Sequence, residues 1–175
     1  MVAGLDGGAQ FLSAYTARPE GQGVRMADPL QVRFLRLEGN PDLALPGRAT
    51  SLSAGYDVRS AEDDLEIRPG EIRAVSTGLA MELPPGLECQ VRPRSGLAAR
   101  FGITLPNSPG TIDPDYRGEL KVLLQNSGSG VVTIRRGERI AQLVFARFEA
   151  PDVVEVDAIS DTDRGEGGFG STGRE

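Results

Sequence analysis

Apolar residues in this chain recur at every second position in short runs, and each run is cut off by glycine, proline or asparagine before it can lengthen. Leu79, Met81 and Leu83 alternate, as do Leu87, Cys89 and Val91 against Glu88, Gln90 and Arg92, and again Leu120, Val122 and Leu124. A period of two sends successive side chains to opposite faces of an extended strand, so each run is a strand with one buried face. Further strands are expected over Gln31 to Leu37, Val131 to Ile134 and Ile140 to Phe148. Pro84-Pro85-Gly86 reads as a hairpin turn, and Asn126-Ser-Gly-Ser-Gly130 and Arg136-Gly137-Glu138 read as tight turns between strands. Only Ser95 to Arg100, between Pro93 and Gly102, suits a short helix. The expected fold is all-β, a jelly-roll-like β-sandwich with one short helix. A length of 175 residues with 39% apolar side chains gives one such domain and not two.

The two ends lack this pattern. Residues 1–29 show no period of 2 or 3.6 and are expected to be a disordered extension; Met26 and Met1 both remain open as the physiological start. The β domain is expected over residues 30–159. Residues 160–175, which end in a glycine-rich run, are expected to form a mobile arm.

Composition narrows the chemistry. The chain has no His and a single Cys, which leaves no histidine acid–base pair, no intrachain disulfide and no thiolate–imidazole zinc site, so carboxylates must do the acid–base work. A net charge of -6 argues against nucleic acid as a partner, because phosphate backbones are held by broad cationic surfaces. The absence of a long apolar run or a leader-like pattern argues against a membrane role and for a cytoplasmic location.

Five segments then occur in order: Ala54-Gly-Tyr-Asp-Val-Arg-Ser60, Arg92-Pro-Arg-Ser-Gly-Leu-Ala98, Asn107-Ser-Pro-Gly-Thr-Ile-Asp-Pro-Asp-Tyr-Arg-Gly118, Gly137-Glu-Arg-Ile-Ala-Gln-Leu143 and Arg164-Gly-Glu-Gly-Gly-Phe-Gly-Ser-Thr-Gly173. Together they resemble the five signature motifs of the trimeric dUTPase family, and the resemblance covers roughly residues 30 to 173. Thr111, where the family usually has an aliphatic residue, and Arg100, often Lys there, are minor departures. The resemblance implies a homotrimer with active sites assembled from three subunits. It also implies hydrolysis of dUTP to dUMP and pyrophosphate, with Mg2+ held through the substrate phosphates and water.

It assigns roles residue by residue. Asp113 resembles the general base that deprotonates the attacking water, a function such a group typically raises by about 10²- to 10⁴-fold in rate. Tyr116 resembles the ring against which deoxyribose packs. Asn107 and the backbone of Gly110, Thr111, Ile112 and Asp113 resemble the uracil reader, with Lys121 close by. Arg94, Ser95 and Gly96 resemble a β-phosphate site at the start of the helix. Gln142 and Asp57 resemble supporting polar groups that touch the phosphates, metal-bound waters or neighbouring arginines. In the arm, Phe169 corresponds to the residue that stacks on uracil, and Arg164, Gly170, Ser171 and Thr172 to those that close on the γ-phosphate. Taken singly, Asp113 would be a turn cap, Tyr116 a core tyrosine and Asn107 a turn residue.

Two rivals share the fold. A dCTP deaminase would carry a Glu ten residues beyond Asp113, where this chain has Leu123, and would lack the arm. A catalytically silent nucleotide-binding trimer would have lost Asp113 or the arm, and both are present.

Overall fold

The computed structural model describes residues 30–168. The chain divides into Met1–Gln31 and Val32–Glu175. Of the first part only Leu30 and Gln31 are described, and neither lies in a helix or strand. The expected extension 1–29 with its alternative start, and Phe169, Gly170, Ser171 and Thr172, lie outside the described residues.

From Val32 onward the elements run β1 (Arg33–Arg36), β2 (Tyr56–Arg59), β3 (Leu65–Ile67), β4 (Ile72–Glu82), β5 (Leu87–Arg92), α1 (Ser95–Phe101), β6 (Ile103–Thr104), β7 (Gly110–Ile112), β8 (Glu119–Asn126), β9 (Val132–Ile134) and β10 (Arg139–Arg147). They build two four-stranded sheets, β1-β4-β8-β6 and β2-β10-β5-β7, and a two-stranded ribbon β3-β9. Every pairing is antiparallel. The alternating residues meet in one core: Val75, Leu79, Cys89, Val122, Leu124, Ile134, Ile140 and Leu143 are each no more than 2% exposed. Full burial of one aliphatic side chain of this size stabilises by about 1.5–3 kcal/mol. Burial also pushes the Cys89 thiol up to about 12, since the thiolate would have to form away from water.

Among the described residues no strand pairs with its neighbour in sequence, which corrects the expected hairpins. β4 and β5 lie in different sheets, so Pro84-Pro85-Gly86 carries the chain across the sandwich instead of closing a ladder. The physical reason lies on both sides of the turn. Leu83 and Leu87 are both buried in the same core, and two successive prolines offer no N–H for a ladder there. Arg136-Gly137-Glu138 likewise joins β9 of the ribbon to β10 of the second sheet, with the Gly137 amide bonded to Ser60 O at 2.8 Å. From Asp113 to Gly118 the chain likewise passes from one sheet to the other, since β7 pairs with β5 while β8 pairs with β4 and β6.

Two local features set the geometry of the site. Helix α1 stops at Gly102, whose φ of 69° is open to glycine and returns two amide bonds to the last turn. In β4, the register against β8 shifts between Ser76 and Ala80, and Gly78 takes a φ of 59°. A Cβ on Gly78 would collide with Asn40, whose buried amide donates to Thr77 O at 2.8 Å, so this bulge is wedged in place.

Candidate active site

β7 ends at Ile112, and the chain turns at once: the Tyr116 amide donates to Asp113 O at 3.2 Å. That leaves the Asp113 side chain exposed beyond the last ladder bond. Thr111, Ile112, Asp113, Tyr116, Glu119, Leu120 and Lys121 line a cleft of about 530 Å³. Five of these are residues singled out in the sequence.

Tyr116 is 46% exposed and is held by backbone. Its hydroxyl donates to Glu119 O at 3.0 Å, and its ring lies so close over Gly118 that an added Cβ would strike it. Lys121 Nζ stands 3.6 Å from Glu119 Oε2 at the cleft wall. Asn107, exposed, sits against the start of β7: a Cβ on Gly110 would lie 3.1 Å from its Nδ2 and 3.4 Å from Val91 Cβ. Glycine at 110 is what allows that approach. β7 is also the edge strand of its sheet, with β5 on one side and no strand on the other among the described residues. Its outward N–H and C=O groups are therefore free of the ladder.

A second cluster forms around Asp57 on β2. Arg94, the residue before α1, donates from Nε to Asp57 Oδ1 at 3.0 Å and from Nη1 to Arg139 O at 3.1 Å. Arg139, at the start of β10, donates from Nη1 to Asp57 Oδ2 at 2.9 Å. One carboxylate, with a side chain 13% exposed, thus clamps two guanidiniums. Gln142 pairs with Asp57 on one side and Arg92 on the other, and its Oε1 would lie 3.1 Å from a Cβ on Gly55. Arg94 makes no side-chain cap on α1; Ser95 and Gly96 are exposed, and a Cβ on Gly96 would meet nothing within 4 Å.

These clusters do not merge within one chain. Asp57 on β2 and the cleft at β7 stand at opposite edges of the same sheet, three strand spacings or about 14 Å apart. Arg94, Ser95, Gly96, Gln142 and Asp57 are absent from the cleft lining, and so is Arg164, whose exposed Nε donates to Gly167 O at 2.7 Å. Sequence reasoning passed over two residues. Arg139 lies inside a quoted motif, three positions before Gln142, but its pairing with Asp57 needs the β2–β10 register. Glu119 lines the cleft between Tyr116 and Lys121, and its bonds to Ser76 and Gly78 need the β4–β8 pairing.

A family model described as dUTPase matches residues 42–173. The chain belongs to the dUTPase family. A deoxyuridine 5'-triphosphate nucleotidohydrolase of Anaplasma marginale is 54% identical over 145 residues, covering 82% of this chain and 99% of that protein. Among solved structures, the dUTPase of Staphylococcus bacteriophage 80alpha with dUPNHPP superimposes with a TM-score of 0.75 at 27% identity, covering 82% of this chain and 99% of that one. A dUTPase variant from phage phi11 of S. aureus, described for its coordination of a structural Mg(II) ion, gives a TM-score of 0.64 at 25% identity over 74% of this chain and 97% of that one. The matched residues 42–173 include both clusters.

Proposed function

We propose that this dUTPase family member hydrolyses dUTP to dUMP and pyrophosphate, with Asp113 as the general base. The observation that carries the reading is the Asp113 carboxylate, free of the ladder, on the wall of a cleft it shares with Tyr116 and Lys121. A water bonded to Asp113 gives up a proton to the carboxylate as its oxygen attacks the α-phosphorus in line. The bond from that phosphorus to the bridging oxygen breaks, and pyrophosphate leaves. Positioning and basicity together account for the rate, the base contributing about 10²- to 10⁴-fold.

Base recognition follows from the free edge of β7. Main-chain donors and acceptors at residues 110–113 have fixed polarity, unlike the Asn107 amide, which can present either end. They distinguish uracil from cytosine, and the close approach that Gly110 allows excludes the thymine methyl. Tyr116 packs on the deoxyribose and leaves no space for a 2′-hydroxyl. An apolar surface alone rejects an added hydroxyl by only about 10²-fold, so the ring must be held rigidly to do better.

Arg94, Ser95, Gly96 and Gln142 bind the phosphates, with Asp57 holding Arg94 in place. Among the described residues no group of three or more acidic, His or Cys side chains could cage a metal, and Asp57 is already taken by two arginines. That donor set fits a Mg2+ ion carried by the triphosphate and water, where it neutralises phosphate charge.

The separation of about 14 Å between the clusters supports sites shared between copies in a homotrimer. Apolar surface for such contacts is available: Ile72, Val153, Val154, Val156 and Ile159 are 51%, 96%, 73%, 58% and 87% exposed. Residues 30–159 form the β domain, and Arg164, Phe169, Gly170, Ser171 and Thr172 belong to an arm that covers the base and the γ-phosphate. No helix among the described residues is long and apolar enough to cross a membrane, and a cytoplasmic location suits a nucleotide substrate.

The test is pyrophosphate release from dUTP, dCTP, UTP and TTP at matched concentrations, with the mass in solution measured by light scattering. The reading requires dUTP to be strongly preferred and the protein to be three chains. Equal turnover of dCTP, or ammonia release from it, would contradict it.

A further inference from the structure

Glu119 has no role in the reaction just described, yet three parts of the nucleoside cleft meet on it. Its carbonyl accepts the Tyr116 hydroxyl at 3.0 Å. Its carboxylate accepts the Gly78 amide at 2.9 Å and the Ser76 hydroxyl through Oε1, while Oε2 faces Lys121 Nζ at 3.6 Å. The Gly78 amide is available because β4 loses its regular register with β8 between Ser76 and Ala80, and the Ser76 hydroxyl stands at the edge of that stretch. The bulge cannot drift, since the positive φ of Gly78 and the collision a Cβ would make with buried Asn40 fix it against the chain. A continuous set of contacts therefore runs from the core through the bulge and Glu119 to the exposed tyrosine.

We propose that Glu119 is a positioning residue for sugar discrimination: by tying the first residue of β8 to the β4 bulge, it fixes the carbonyl that holds Tyr116 and so keeps the ring from retreating before a 2′-hydroxyl. This rests on the reading in which Tyr116 packs on deoxyribose. The ring is confined on one side by the Gly118 backbone and at its tip by Glu119 O, so the start of β8 sets its position. Excluding one hydroxyl group by contact demands that the contacting surface not yield, because a shift of about 1 Å suffices to admit it. Both Glu119 oxygens already have partners, an amide, a hydroxyl and an ammonium, which suits a structural carboxylate and not a second base.

The experiment compares kcat/KM for dUTP and for UTP in the wild type, Glu119→Ala, Glu119→Gln and Ser76→Ala, with thermal unfolding followed in parallel. Glu119→Ala is expected to lower the dUTP:UTP ratio about tenfold, chiefly through a higher KM for dUTP and a gain in UTP turnover. Glu119→Gln keeps an acceptor for Ser76 and Gly78 and should stay within about threefold of the wild-type ratio. Ser76→Ala, a smaller change, should move the ratio in the same direction by about threefold, and it decides the matter if Glu119→Ala does not fold. In a Tyr116→Phe background, which lacks the hydroxyl, Glu119→Ala should have little further effect on the ratio. Parallel losses for both nucleotides, or an unmoved ratio, would overturn the role of Glu119. A wild type that shows no preference for dUTP over UTP would instead overturn the reading of Tyr116 beneath it.

Discussion

Replacing Asp57 by Asn keeps the shape of the side chain and removes its charge, at the point where two arginines are held together. In the wild type, Oδ1 accepts from Arg94 at 3.0 Å and Oδ2 from Arg139 at 2.9 Å. Asn can still accept from Arg94 but turns a donor toward Arg139, so one charge-assisted bond is lost outright and the other weakened. Such bonds are worth about 1.5–3 kcal/mol when buried. Arg139 is 44% exposed and its contact must be discounted for solvent screening, which leaves about 2 kcal/mol for the pair of changes. If that energy holds Arg94 ready for the β-phosphate, kcat/KM for dUTP falls by up to about 30-fold. Initial rates over a dUTP series, with urea unfolding of the same samples, supply both numbers. A stability loss near 2 kcal/mol with kcat/KM within threefold of wild type would refute the idea that Asp57 serves the phosphate site.

Gly96→Ala meets nothing in this chain, so its melting temperature should match the wild type or rise slightly, while KM for dUTP rises if phosphate oxygens approach there. An unaltered KM would remove Gly96 from the phosphate site. Cys89 gives a pH prediction: because burial raises its folded pKa from 9.0 to about 12, the folded state holds its proton more tightly. The stability due to the neutral thiol is therefore complete below pH 9 and is lost as pH climbs toward 12, by about 1.4 kcal/mol per pH unit. Urea midpoints at pH 8 and pH 10 should diverge in the wild type and much less in Cys89→Ala, and native protein at pH 8 should resist thiol reagents.

The strands were legible because burial leaves its period in the sequence. Leu87, Cys89 and Val91 lie inward along β5, and Leu120, Val122 and Leu124 along β8, as alternation implies. Pairing was not legible. Proline and glycine at 84–86 announce a change of direction, but a reversal within a sheet and a passage between sheets use the same residues, and only the distant partners of the two strands, β1 and β8 for β4 and β10 and β7 for β5, separate the two. The site divides similarly. Asp113, Tyr116 and Lys121 come together because they are close along the chain, whereas Arg139 meets Asp57 across 82 residues and Glu119 meets Ser76 across 43. Such contacts leave no periodic or local trace.

The claim on which the rest depends is that the Asp113 carboxylate takes the proton from the attacking water. Asp113→Asn conserves size and leaves the cleft wall intact, so dUTP should bind nearly as before while the base is gone. Quenched pyrophosphate release under saturating dUTP, paired with calorimetric titration of a non-hydrolysable dUTP analogue, separates these effects. The account predicts turnover lower by at least about 10²-fold with analogue affinity within a few-fold of wild type. Near-normal turnover in the variant would contradict it.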